Sequence, residues 1–371
     1  MNGTGLSGQV YAHVGQAFRE LRYDLLIVGA GRMGAALARF VMEAAPQVRL
    51  LLAEEGGLPN EEGASLLAAG VWHSFVPPEQ RVRTERARQL LGESLNTCGV
   101  LQGRADPHPG FSPLRDFWTP ELDALIDPEV LPFARLDARG GSFSVGSQTL
   151  QNAQTAVKLG ADLMLNVRAE LLGGGGARLH RLSVTNTHQV VVDHSVTLRA
   201  GAVIVAAGAA GAHLVEAGLG LITAHRQAYR QSPRLNLPSG PGSRVLRASG
   251  FILRPHSGGY SVTPPTVHPD PWGYVPSGGR LAGVPVGLRR ELIESVLDNL
   301  EALPGLGGEG LVVGRSSADI PGAWVALPAG GWPLSERLDG QHWLLLGGER
   351  ADLSGLSVAE ELALEIAKLQ P

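Results

Sequence analysis

Three glycines in the pattern Gly29-x-Gly31-x-x-Gly34 and one acid, Glu54, are the residues whose spacing points most directly to a ligand. Gly29 permits a tight turn, Gly31 lets a pyrophosphate approach the backbone, and Gly34 lets a helix and a strand pack closely. The helix that follows adds first-turn N–H groups and the positive end of its dipole. A carboxylate at Glu54, closing the next strand, can accept from the two hydroxyls of an adenosine ribose. The alternative is a structural turn with a solvated acid. The order of strand, loop, helix, strand and acid favours the dinucleotide. A second match, Gly3–Gly8, follows no strand and is read as chance. The motif alone does not choose FAD over NAD.

The elements that must position these residues are legible around them. Leu25–Val28 is a continuous apolar run, as in a strand buried on both faces. Ala35–Ala44 reads as a helix and Val48–Ala53 as a second buried strand. Further along, Thr149–Gly160 reads as a helix and Asp162–Val167 as a strand. Arg178–Thr185, Gln189–Leu198, Ala202–Ala207 and His342–Leu346 read as strands, the last two buried. Leu288–Leu303 has apolar residues at helical spacing. Ser357–Leu369 reads as the last helix, with a Ser357-x-x-Glu360 capping box. Val10–Tyr23 reads as a short amphipathic helix.

The chain has 371 residues, 44% of them hydrophobic and 18% charged, so it can bury a large core and is not mainly disordered. A net charge of -4 lowers the case for nucleic acid. Arg81, Arg83, Arg86 and Arg88 alternate with Glu79 and Glu85, which suits a solvated helix face. A single cysteine, Cys98, excludes an internal disulfide framework. His180, His188 and His194 are too loosely spaced for a local metal motif, and no metal is expected. The stretch from Ala200 to Ala224 carries His213, Glu216 and five glycines, so a strand, turn and helix explain it better than a membrane span. The expectation is a cytoplasmic protein with no secretory signal and no membrane partner, acting on a small molecule.

The segment 78–139 is rich in proline and partly irregular, and 226–283 is rich in proline and glycine and β-like. The reading is therefore an α/β protein with a discontinuous dinucleotide domain over 23–77, 140–225 and 335–371. A substrate domain with an antiparallel or mixed sheet takes 78–139 and 226–334. Residues 1–22 are an extension.

The order of segments resembles the FAD-dependent D-amino-acid oxidase superfamily, the group with glycine oxidase and sarcosine oxidase. The resemblance covers most of Tyr23–Lys368. Asp24–Gly34 and Leu50–Gly56 look like its FAD-binding start, Gly63–Gly70 like its small-residue loop, and Ala202–Ala209 like its "VVxAAGA" strand. Gly250–His256 is similar to a strand of its substrate domain, Leu303–Leu306 and Gly314–Ala318 to the run before its active-site strand, and Leu344–Ala363 to its closing strand, loop and helix. The resemblance implies a Rossmann-like, glutathione-reductase-type FAD domain and non-covalent FAD. The residues it implies for FAD are Gly29, Gly31, Met33, Gly34, Glu54, Glu55, Ser65, Gly70, Val167, Ala207, Gly208, Gly348, Ser354, Gly355, Leu356 and Ser357. Val167 would contact adenine, and the last helix would begin at Gly355–Ser357 with its dipole toward the flavin.

The implied activity is hydride transfer from the C–N bond of an amine or amino-acid-like molecule to flavin, giving an imine. Other flavin chemistry (hydroxyl oxidation or hydroxylation) and a non-catalytic FAD-binding subunit of a larger dehydrogenase are the alternatives, and a homo-oligomer or heteromeric partner fits either. The family's arginine for the substrate carboxylate has no counterpart in Ala318-Asp-Ile-Pro-Gly322, so glycine and simple D-amino acids are expected to be poor substrates. Arg254 is the candidate to replace it, or else it forms a salt bridge elsewhere. His73 is a candidate base or orienter, or a structural histidine. Tyr229, Tyr260 and Trp272 are candidate pocket walls. Arg350 and Asp352 are read as solvent-facing.

Overall fold

A computed structural model describes residues 7–11, 21–61, 63–187, 189–240, 242–265, 290–307, 311–312 and 322–369. Its centre is a parallel sheet. From one edge the order is Val10–Tyr11, Asp162–Met164, Leu50–Ala53, Arg22–Val28, Val190–Val205 and His342–Leu346. Leu25, Leu26 and Ile27 are wholly buried because both faces of the sheet are covered. One face carries helices α1 (Arg32–Ala44), α3 (Val145–Lys158) and α6 (Ala351–Leu369), with α1 packed against the other two and α2 (Arg81–Leu91) packed on α6. The other face packs on the antiparallel strands Val167–Gly173 and Gly176–Val184 and on helix α4 (Gly211–Leu219).

Among the described residues a second, mixed sheet of eight strands forms from Val100–Arg104, Ser112–Pro113, Phe133–Asp137, Arg234–Leu235, Val245–Ala248, Phe251–His256, Gly259–Thr263 and Leu311–Val312. One of its faces is apolar. Leu101, Ala134, Leu246, Leu253 and Val262 pack there on the 114–131 segment and on helix α5 (Arg290–Leu297). The other face turns toward the first sheet's domain, where Val100 and Val245 pack with Ala69 and Val71. Arg226–Gln231 and Gly322–Leu327 form a separate antiparallel pair.

Several expected boundaries are corrected. Val10 and Tyr11 form a strand on Asp162–Met164 instead of opening a helix; residues 12–20 lie outside the described residues. Gln189–Leu198 and Ala202–Ala207 are one strand, Val190–Val205, whose first half pairs antiparallel with Gly176–Val184 and whose second half joins the parallel sheet. Strand Asp162–Met164 ends before Val167, with Asn166 at φ +56 between them. Helix α3 starts at Val145, capped by the Ser144 hydroxyl accepting from the Ser147 N–H. The described part of the helix read over Leu288–Leu303 runs only Arg290–Leu297. Trp272 and Gly314–Ala318 lie outside the described residues.

Candidate functional site

A cleft of about 1460 Å³ runs across the carboxyl ends of the parallel strands, where ligands of such sheets bind. Strand order sets the order of its lining: Val167, then Glu54, then Gly29 and Gly31, then Ala207 and Gly208, then Gly348. Met33, Glu55 and Ser65 line it too. Gly29 (φ +103) has a conformation that L side chains rarely adopt, and a Cβ there would lie 2.6 Å from the Ala206 carbonyl oxygen. Gly31 caps α1 without a side chain, so first-turn N–H groups face the cleft. A Cβ on Gly31 would meet only the Ser65 hydroxyl, at 3.3 Å, so the space in front of it is open.

Glu54 is 6% exposed. One carboxylate oxygen accepts from the Ala30 N–H at 2.6 Å, and the other from Asn60 Nδ2 at 2.8 Å and the Gly56 N–H at 3.3 Å. Burial pushes its pKa above the ordinary glutamate range, against the lowering effect of these donors. Lone pairs remain for ribose hydroxyls. Such donors favour the ionised form, so dinucleotide binding should release protons near this pKa. Affinity for FAD is therefore expected to fall on acidification from neutral pH, beginning above the pH where an ordinary glutamate protonates. In the free protein the same raised pKa favours the protonated form, a contribution to stability that is lost as pH rises through it. Flavin fluorescence released across an acid titration measures the first effect. Glu54→Gln should flatten that dependence, and an unchanged titration in the variant would exclude Glu54 as its source.

Asp352 corrects the expectation of a solvent-facing acid. It is 8% exposed and lines the cleft. One oxygen pairs with Arg32 at the start of α1, and the other accepts from the N–H groups of Gly70 (2.8 Å) and Val71 (3.3 Å). The Arg32 N–H donates to the Ser65 hydroxyl at 3.0 Å. Asp352 thus ties the start of α6, the start of α1 and the Gly70 turn together. Gly70 itself needs φ +62, and a Cβ there would sit 2.2 Å from the Phe143 carbonyl oxygen. Glu55 pairs with Arg168 at 2.9 Å.

Helix α6 begins at Ala351, so the expected start at Gly355–Ser357 is wrong by more than a turn. Ser354, Gly355 and Ser357 are buried inside the helix, and none of Ser354, Gly355, Leu356 or Ser357 lines the cleft. Gly355 allows close packing on Met33: a Cβ there would lie 3.0 Å from its sulfur. The Ser357 hydroxyl donates to Glu361 and caps nothing. The positive end of the helix dipole stands instead at Ala351, beside Gly348 and Asp352.

The second sheet contributes the rest. Arg254 pairs in register with Ser261 on the face turned to the first domain. Its guanidinium donates to the Phe143 carbonyl at 3.0 Å and to the Ser261 hydroxyl at 3.2 Å. Tyr260, one residue along, alternates to the opposite face and is 1% exposed in the apolar core, so it is not a pocket wall. Tyr229 is buried against Trp324, with ring centroids 5.5 Å apart. His73 is 4% exposed, and its Nδ1 accepts from the Phe75 N–H at 3.1 Å, so its proton sits on Nε2. Burial pushes its pKa well below the ordinary histidine range, and Arg247, Arg135 and Arg350 push it further. A neutral ring with Nδ1 engaged is a hydrogen-bond donor, which fits an orienter and not a base.

Arg230 was not singled out in the sequence. It lines the cleft beside Trp324, bonds Glu349 at 3.3 Å, and buries an Nε with no partner among the described residues. Its only signal is its place after Tyr229. The open cradle at Gly31, the acceptor at Glu54 and the orphaned Arg230 Nε together fit FAD. Among the described residues no cluster suited to a metal occurs, and no helix is long and apolar enough to cross a membrane.

Residues 24–335 match the family described as FAD dependent oxidoreductase, and the chain belongs to that family. Its members bind FAD. Among solved structures, glycine oxidase from Geobacillus kaustophilus superposes with a TM-score of 0.68 at 17% identity, covering 95% of this chain and 96% of that one. L-amino acid deaminase from Proteus vulgaris gives 0.67 at 14% identity, covering 97% of each chain. At these identities the likeness is one of fold. A curated relative, the probable malate:quinone oxidoreductase of Synechococcus sp. (strain CC9902), is 40% identical over 77 residues. That match spans 18% of this chain and 15% of the relative.

Proposed function

We propose that the protein oxidises a C–N bond of an amine or amino-acid-like small molecule. The observation that carries this reading is the arginine-bearing face of the second sheet, turned toward Ala69–Phe75 beside the cofactor cleft. It supplies positive charge where the acid group of such a molecule would be held. FAD supplies the two-electron acceptor. The substrate loses two electrons and two hydrogens across its C–N bond, and water converts the imine to a carbonyl compound and free amine or ammonia. The chain's own part is to bind, orient and exclude water. Arg254 positions the Gly70 and Phe143 turns, the His73 Nε2–H is a donor, and Ala69, Val71 and Ile252 form an apolar surround.

Oxidation of a 2-hydroxy acid is the second reading, favoured by the short similarity to a malate:quinone oxidoreductase. Anaerobic visible spectra of the FAD-loaded protein with amines, amino acids and 2-hydroxy acids distinguish the two. Bleaching by an amine with release of ammonia or free amine is expected. Bleaching by hydroxy acids alone replaces the first reading with the second. No bleaching by any of them removes both and leaves a non-catalytic FAD-binding subunit. Peroxide formation on admitting air separates an oxidase from a dehydrogenase that passes electrons to a partner.

A further inference from the structure

The inward face of the second sheet carries more positive charge than one carboxylate needs. In register across three neighbouring strands stand Arg247, Gln102 and Arg135. Arg104 lies two residues beyond Gln102, on the same face. Val100 and Val245, also on this face, pack on Ala69 and Val71, which fixes the direction in which the row points. Arg135 lies over the ring of Phe75 at 4.0 Å and over Phe111 at 4.8 Å, and Arg104 lies over Phe111 at 5.4 Å. Arg350, entering α6, stacks on Trp332 at 4.7 Å.

None of these four guanidinium groups has a carboxylate partner among the described residues. Arg135 bonds the neutral Gln102 side chain at 2.7 and 3.0 Å. Among the described residues the Arg247 side chain makes no hydrogen bond, and its Nε is buried. The nearby Asp137 accepts instead from the Ser74 and Arg139 N–H groups. Elsewhere in the chain, arginines such as Arg32, Arg83, Arg86 and Arg168 pair with acids. Burial, with Arg135 and Arg350 as neighbours, brings Arg247 down to about 10. Like charges left unneutralised in a partly desolvated place oppose folding. An anion arriving between them removes that opposition, and aromatic faces hold arginines in place without neutralising them.

We propose that Arg135 and Arg247, with Arg104 and Arg350 in support, bind the second acid group of a dianionic substrate. This rests on the reading of the same site given above. The shared chemistry is two negative charges on one small molecule, as in an amino-dicarboxylic acid or a phosphorylated amine. A monocarboxylate would engage one guanidinium bidentately and leave the others uncompensated.

The test uses FAD-loaded protein at constant ionic strength, with thermal shift and perturbation of the flavin spectrum as readouts. Glutarate and succinate are compared with butyrate and acetate, and inorganic phosphate is a separate arm. The dicarboxylates are expected to bind at least about 10-fold more tightly than the monocarboxylates, the scale of one added charged hydrogen bond. Arg247→Gln and Arg135→Gln should each abolish most of that preference while FAD stays bound. Arg115→Gln, at an exposed position, changes net charge equally and should leave it intact. Phosphate binding more tightly than glutarate, and lost in the same two variants, supports the site with a phosphorylated substrate. Equal affinity for mono- and dicarboxylates, or a preference unchanged in both variants, overturns the proposal. Dianion preference without bleaching by any amine would leave this site standing and remove the proposed reaction. Bleaching by amines without dianion preference would do the reverse.

Discussion

Replacing Asp352 with alanine should destabilise the FAD-free protein by about 3–5 kcal/mol, the range for removing one partner of a buried ion pair. Arg32 is left with 15% side-chain exposure and no carboxylate, and the N–H groups of Gly70 and Val71 lose their acceptor. Asparagine at the same position can still accept from an N–H group but cannot neutralise Arg32, so Asp352→Asn should fall between the two. Removing Arg32 together with Asp352 should recover part of the loss, because no buried charge then stands alone. Urea unfolding curves for the four proteins measure this. Both tethered segments line the cofactor cleft, so FAD affinity should fall in parallel with stability. A loss below about 1 kcal/mol in Asp352→Ala, within the usual range for an exposed pair, would show that the contact does not hold these segments together.

Asp352 also shows where a sequence reading stops. Glu54 and Gly31 were legible because everything that fixes them is local: a buried strand, a turn that demands glycine, a helix and a second strand within one βαβ unit. The start of α6 was not. Ser357-x-x-Glu360 is a real capping pattern, but the helix extends upstream because Asp352 finds Arg32 and the Gly70 turn, partners some three hundred positions away. The division between Gln189–Leu198 and Ala202–Ala207 fails in a similar way: one long strand passes close to its neighbour there, and a Cβ on Gly201 would lie 3.0 Å from the Asp24 carbonyl oxygen. The arginine row lay beyond any periodicity. Arg135 and Arg247 meet on either side of Gln102 only through the registers of two strand pairs. Register likewise gives Arg254 and Tyr260 opposite faces, so a candidate carboxylate clamp and a candidate pocket wall cannot share one pocket.

The glycine loop allows a sharper separation between fold and cofactor. Gly31→Ala should leave the FAD-free protein within about 1 kcal/mol of the native stability, as expected where the backbone suits any residue. Gly31 has φ −61, and its added Cβ would touch only the Ser65 hydroxyl, at 3.3 Å. The same methyl group occupies the space through which a pyrophosphate reaches the first-turn N–H groups of α1. FAD affinity should therefore fall by about 100-fold or more, equivalent to about 2.7 kcal/mol. Gly34→Ala should behave in the opposite order. Its Cβ would lie 1.8 Å from the Gly29 carbonyl oxygen and 3.2 Å from the Ala206 methyl group, so α1 and its strand must part before any ligand is considered. That variant should be poorly soluble or unfold in much less urea, whether or not FAD is present. Fluorescence titration with FAD and urea unfolding, run on both variants, give the two pairs of numbers. Retained FAD affinity in Gly31→Ala would mean that the pyrophosphate does not approach the loop at this residue. A normally stable Gly34→Ala would mean that the close packing of helix on strand is not what its glycine provides.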